Sequence, residues 1–314
     1  KPCPTPFITE AVVRKFIENQ EAENIKPRFG DEAASPIMAG LYTARSCRPD
    51  FPVATLRLAR RVTRWSLADD EKLLRYLGYL KLSAGARLHS QLDTKDLKTA
   101  VLRIWPDADH AGDASEDCQS SGGYFIELAS ECGARSWALH WSYAKQGFTA
   151  GHTQEAEIAA LYDSLRNDGL PIASLLEFLL GRPIIVEVLE DNAGAKVAAV
   201  NGYGPRLRHL HRTKRVHVSY LGEVFDKENP QATLLKIETK LQKGDILTKE
   251  MDRGRFEECK SMLRIIPATC AISARARTVV CVNGQLLTPS LALAAAARNP
   301  KSLDVDREHA FIVD

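Results

Sequence analysis

The chain has 314 residues, 45% hydrophobic and 26% charged, which is enough apolar material for a sizeable core in one large domain or two moderate ones. A formal net charge of +2 gives no whole-molecule electrostatic signature, so any basic site must be local. Seven cysteines, an odd number with no Cys-x-x-Cys pair, fit neither a disulfide framework nor a zinc cluster and predict a reducing compartment.

No apolar run approaches the roughly 20 residues that span a bilayer, so no membrane partner is expected. The opening at Lys1 shows no charged-then-apolar leader pattern and no initiator methionine, and a piece of a longer protein is expected. Residues 1–37 combine Pro2, Pro4 and Pro6 with one helix predicted from Ile8 to Asn19, and they receive no function. From Gly40 to Gly85 the spacing predicts two packed helices: Val53, Leu56, Leu58 and Val62 share a face, and Leu73, Tyr76, Leu77 and Leu80 follow a start signal at Asp69-Asp70.

Three strands are predicted at 101–106, 123–130 and 135–141, separated by Gly122-Gly123 and Glu131-Cys132-Gly133 in the manner of an antiparallel meander. After Gly151 the period turns helical through Ala156, Ala159, Leu165, Leu176 and Leu179, a crossover that feeds the apolar run 184–189. That run predicts a strand buried on both faces of a partly parallel sheet, with Asp191 at its carboxyl end, where open α/β sheets place ligands. A short helix over 192–200, a helix from Thr213 to Asp226, a strand at 232–238 and a closing helix from Asp245 to Leu263 complete the pattern. Residues 268–314 are expected to hold at most one loosely attached helix, around Leu291–Ala297, with disorder as the alternative.

Four acids stand where this order of elements would bring them together: Asp107 after the first strand, Glu157 in the first long helix after the meander, Asp191 after the fourth strand and Asp245 at the last helix. Magnesium takes hard oxygen ligands and commonly uses carboxylates together with substrate phosphate oxygens. Four carboxylates could hold two such ions roughly 3.5 to 4 Å apart, the separation of two-metal phosphodiester chemistry. Any one of the chain's 40 acidic residues is more commonly a solvated group or a helix cap; the joint placement is what points to metal. Glu155, two residues from Glu157, falls on another helix face and is expected to be exposed. The crowded cations of the run from Arg206 through Arg208, Arg212 and Lys214 to Arg215 suit a polyanion backbone.

Several motifs share a resemblance. Asp107-Ala108-Asp109-His110-Ala111-Gly112-Asp113, Ser121-Gly122-Gly123-Tyr124, Trp141-Ser142 through Lys145-Gln146, Thr153 through Leu161, Glu190-Asp191-Asn192, Arg212-Thr213-Lys214 and Gly244 through Lys249 resemble the ribonuclease H domain of copia-type retrotransposon polyproteins. Upstream, Leu41-Tyr42, Arg48-Pro49-Asp50 and Leu74-Arg75-Tyr76-Leu77 resemble the end of that family's reverse transcriptase. No Tyr-x-Asp-Asp signature occurs, so no polymerase activity is expected from this chain alone.

The resemblance implies an α/β fold, a ribonuclease H-like mixed five-stranded sheet with flanking helices, preceded by a small helical segment. It divides the chain into an unassigned segment 1–37, a reverse transcriptase remnant 38–95, a ribonuclease H-like domain 96–267 and a tail 268–314. It further implies an endonuclease that cuts the RNA strand of RNA/DNA hybrids, with Asp107, Glu157, Asp191 and Asp245 as catalytic ligands of two Mg2+ or Mn2+ ions. Arg206, Arg208, Arg212, Lys214, Arg215 and Gln146 are expected to meet nucleic acid, the rest of the polyprotein to be a partner, and no small-molecule cofactor to be used. The place of action would be a cytoplasmic particle, or else the nucleus. The rival expectations are a decayed nucleic-acid-binding module and a partner-dependent subdomain of a reverse transcriptase. His110, Gly122 and Gly244 depart from the family's usual tryptophan, serine and alanine, and Asp109 and Asp113 are assigned to a turn.

Overall fold

The computed structural model describes residues 2–8, 10–22, 26–110, 119–267, 280–282 and 285–287. Four helices come first: α1 (Glu10–Ala22), α2 (Ala34–Ser46), α3 (Pro52–Arg61) and α4 (Leu67–Leu82). The region expected to hold two helices thus holds three. Helix α2 buries Ile37, Gly40 and Ala44, a stripe of mostly small residues that gives little hydrophobic periodicity. Helix α4 starts on a capping box, in which Ser66 and Asp69 satisfy each other's backbone donors. Between them lies a buried network: the Arg48 guanidinium donates to Asp50 at 2.8 and 2.7 Å and to the Ser83 carbonyl at 2.8 Å, and the Tyr79 hydroxyl donates to the same Asp50.

After the short β1 (Arg87–Leu88), the meander appears as β2 (Val101–Asp109), β3 (Ser121–Ala129) and β4 (Ser136–Lys145). Helices α5 (Thr153–Asp163) and α6 (Leu170–Leu180), joined by a π-helical stretch at Ser164–Gly169, form the crossover to β5 (Val186–Glu190). Then come α7 (Ala193–Asn201), the single turn α8 (Leu210–Thr213), α9 (Val218–Val224) and β6 (Thr233–Lys236). The sheet order is β4-β3-β2-β5-β6, with β3 antiparallel to both β4 and β2, and β5 and β6 parallel to β2. The chain closes with α10 (Asp245–Thr248), α11 (Arg253–Met262) and β7 (Ile265–Ile266), which pairs with β1. A hairpin, β8 (Val280–Val282) and β9 (Gln285–Leu287), is the described part of the tail, and the predicted helix around Leu291–Ala297 lies outside the described residues.

Three expectations need correction. The fourth strand begins at Val186, and Ile185 is 60% exposed. The single helix expected from Thr213 to Asp226 is two, α8 and α9, because Arg215 adopts a left-handed backbone with φ 57° that a helix cannot contain. The closing helix is also two: Lys249 is extended, and the Asp252 side chain accepts from the Arg255 N–H to start α11 afresh.

The sheet carries a core on each face. On one, Ile104, Ile126 and Val188 pack against Ile158, Leu161 and Leu165 of the crossover and Leu221 of α9. On the other, Trp105, Phe125 and Leu189 share a core with Ile37, Phe51, Tyr76 and Tyr79 of the N-terminal helices and Phe256 of α11. Trp141 stacks on Phe125 and donates its indole N–H to the Ala44 carbonyl at 2.8 Å. The boundary drawn at residue 95 therefore separates motifs but not cores: residues 38–95 cover a sheet face that would otherwise stand in water. No described helix is long and apolar enough to cross a membrane.

Candidate metal centre

Asp107 lies near the end of the central strand β2, opposite Gly123 of β3, and is fully buried. The parallel neighbour β5 ends at the same sheet edge and delivers Asp191 one residue beyond it. Helix α5 lies over β2 and contributes Glu157, 4% exposed. One oxygen from each of Asp107, Glu157 and Asp191 lies within 4.8 Å of the others, the approach needed for shared ligation.

The electrostatics of this trio fit a cation. Burial pushes Asp107 up to about 7 although Lys249 pulls it down, and Asp245 raises it further. Burial also raises Glu157 well above the usual carboxylate range, with Asp107 and Glu190 adding repulsion. Among the described residues Glu157 Oε2 has no hydrogen-bond partner, a buried acceptor left open toward its fellow acids. Such a set of deprotonatable oxygens is the donor chemistry that Mg2+ or Mn2+ takes.

Asp245, the fourth predicted acid, is engaged otherwise. Its Oδ1 accepts from Lys249 Nζ at 2.7 Å and its Oδ2 from Arg255 at 2.6 Å. The same Lys249 ammonium donates to Asp107 Oδ1 at 2.9 Å, and the Thr248 hydroxyl donates to Asp107 Oδ2. The structure thus groups three of the four acids directly and reaches the fourth through a lysine. Gly244 makes this approach possible: a Cβ there would stand 2.7 Å from Asp107 Cβ and 2.8 Å from the Trp105 carbonyl, so the departure from alanine removes a clash.

The sequence reasoning missed Glu190 and Lys249. Glu190 is fully buried and pushed up to about 8, first by burial, with Asp191 and Asp107 adding to the rise and the Asn192 N–H opposing it. An acid closing an apolar strand run was the available signal. Lys249 sits four residues after Asp245, which by spacing alone reads as an ordinary surface pair. Glu155, expected to be exposed, is 3% exposed: it accepts from the Gly151 N–H at 2.7 Å and stands 3.0 Å from His209 Nε2.

The basic run lies beyond α7. Arg206, Arg208, Arg212 and Arg215 are exposed, and Arg208 donates to the Tyr203 hydroxyl at 2.6 Å. Arg208, Arg212, His209, His211 and Tyr203 line a groove of about 680 Å3. Lys214 is half-buried, its ammonium over the Phe148 ring and donating to the Thr149 carbonyl at 3.0 Å, so it fastens a loop. Gln146, expected to meet nucleic acid, is buried and donates to the Ala156 carbonyl at 2.8 Å, holding the start of α5. His110 contacts the Ala150 carbonyl at 3.1 Å, and Asp109 stands 3.6 Å from Arg57 of α3. Asp113 lies outside the described residues.

The strand order, the three antiparallel strands followed by two parallel ones and the helices on both faces define an α/β, ribonuclease H-like fold. No protein-family model matches the chain. The retrovirus-related Pol polyprotein from transposon TNT 1-94 of Nicotiana tabacum is 27% identical over 163 residues, which cover 52% of this chain and 11% of that protein. The resemblance drawn from the motifs thus meets a curated relative, of whose length the match spans about a tenth. Among solved structures, RNase H1 from the halophilic archaeon Halobacterium salinarum is 17% identical with a TM-score of 0.32, over 47% of this chain and 93% of its own. The RNase H domain of PFV is 16% identical with a TM-score of 0.30, over 48% and 90%.

Proposed function

We propose that this chain is a divalent-metal-dependent endonuclease that hydrolyses the RNA strand of RNA/DNA hybrids, and that it comes from a copia-type retrotransposon polyprotein. The observation that carries the reading is the convergence of Asp107, Glu157 and Asp191 at the carboxyl ends of β2 and β5, with a buried Glu157 oxygen that has no hydrogen-bond partner among the described residues. These three acids would hold Mg2+ or Mn2+. A bound ion supplies a water activated at neutral pH and neutralises charge growing on the phosphate.

The chain's own residues do the rest. Asp107 fixes the site to the rigid centre of the sheet, and Glu157 to a helix packed over it. Glu155, tied to the Gly151 N–H and His209, orients the first turn of that helix. Arg206, Arg212 and Arg215 present exposed guanidinium groups suited to phosphate oxygens, and RNA would be told from DNA through its 2′-hydroxyl. A second ion would call on Asp245, whose carboxylate pairs with Lys249 and Arg255. Residues 38–95 are proposed as the reverse transcriptase end that closes the second sheet face, and the rest of the polyprotein as the physiological partner.

The test uses hybrids labelled on either strand, with duplex RNA and duplex DNA beside them. Cutting confined to the RNA strand of the hybrid, dependent on Mg2+ or Mn2+ and abolished by chelator, is expected. Cutting that persists in chelator, or binding without cutting under either metal, would overturn the assignment.

A further inference from the structure

The motif Gly244 through Lys249 contains one residue that the metal-centre reading leaves without a task, and its position is unusual for a surface lysine. Lys249 Nζ pairs with the fourth acid, which a second ion would need as a ligand, and with one of the grouped three: it stands 2.7 Å from Asp245 Oδ1 and 2.9 Å from Asp107 Oδ1. Arg255 holds the remaining Asp245 oxygen at 2.6 Å, and the Thr248 hydroxyl holds the remaining Asp107 oxygen. Each oxygen of Asp245 therefore already faces a fixed positive charge.

We propose that Lys249 is the resident cation of the second position, so that the acid cluster takes one divalent ion, at Asp107, Glu157 and Asp191, instead of two. The inference rests on the metal-centre reading and refines its stoichiometry. One further observation supports it. The lysine is anchored on both sides: its own N–H donates to the Asp245 carbonyl at 2.9 Å, and the next residue, Glu250, pairs with Arg57 of α3 at 2.8 Å.

An ammonium differs from a metal ion in what it can do. It neutralises carboxylates and donates hydrogen bonds to a phosphate oxygen, but it does not lower the pKa of a bound water as a metal does. In this arrangement the three grouped acids have the task of binding the ion, and Lys249 has that of offering positive charge on the Asp245 side.

The experiment counts Mn2+ ions bound to the full chain by the loss of the free-ion electron paramagnetic resonance signal, without substrate. Wild type and Lys249→Arg are expected to bind one ion, Lys249→Met two, and Asp191→Asn none. Two ions in wild type, or a count unchanged in Lys249→Met, would overturn the inference while leaving the metal centre standing. No ion bound to wild type would overturn the metal centre itself. Circular dichroism checks the fold of each variant, and Lys249→Gln, which keeps a polar stem and donors, replaces Lys249→Met should the latter unfold.

Discussion

Among the described residues, two of the buried groups of charge are built on opposite rules. In the N-terminal helices, Arg48 and Asp50 satisfy each other bidentately, with Tyr79 and Ser83 taking the remaining bonds. At the sheet edge, Asp107, Glu157, Asp191 and Glu190 crowd together, with unpartnered oxygens on Glu157 and Glu190 among the described residues. The first cluster is closed and serves the fold. The second costs stability in the absence of an added cation, and a protein retains such an arrangement where it serves a site.

The widest separation between the two should come from Glu157→Gln. Cleavage is expected to fall by roughly 10³-fold, the scale on which transition-state charge stabilisation is lost, while the melting temperature of the metal-free protein rises because a buried repulsion is removed. A fall in melting temperature with cleavage retained would place Glu157 among structural acids. Asp50→Ala should do the reverse, leaving Arg48 buried and unpaired at a cost of about 3–5 kcal/mol, read by denaturant unfolding. A loss below about 1 kcal/mol, the range of surface pairs, would mean that the network is not closed.

The pH dependence sharpens the contrast. Asp107 and Glu190 have folded values raised from 3.8 and 4.5 to about 7 and about 8, so the folded state holds protons that the unfolded state has released. Their contribution is fully present below about 4 and is lost as pH rises through 7 to 8. The melting temperature of the metal-free protein should therefore decline across that window, and added Mg2+ should restore it most at the alkaline end. A flat profile would contradict the burial of these acids. The smallest effect belongs to the basic run: Arg206→Gln with Arg212→Gln should weaken hybrid binding and lower its salt slope by about 1 for each phosphate no longer neutralised. An unchanged slope would make these arginines a solvated face.

Much of this was legible in the sequence. Continuous apolar and β-branched runs marked β2 and β5, and turn residues marked the meander. Asp107 and Asp191 stood out because they fell near strand ends and Asp245 because it opens a helix, whereas Glu157, inside α5, was marked by the motif around it. What escaped reading was set by tertiary packing. Arg215 is left-handed, a conformation its residue type does not announce. Glu155 lies on a helix face that spacing assigns to solvent, but the segment carrying His209 covers it. Lys249 has the spacing of a surface pair and becomes central only when Gly244 lets its loop close on Asp107. The N-terminal helices show their role only through the shared core, since Tyr76 and Tyr79 are far from Phe125 in the chain.

The most direct test of the account compares wild type with Asp191→Asn on one RNA-labelled hybrid in Mn2+, with both proteins melted in parallel. The account predicts RNA-strand cleavage by wild type, no cleavage by the variant and closely similar melting of the metal-free proteins, because the amide keeps the shape and loses the ligand. Equal cleavage by both would remove Asp191 from the chemistry and with it the metal centre described for this fold.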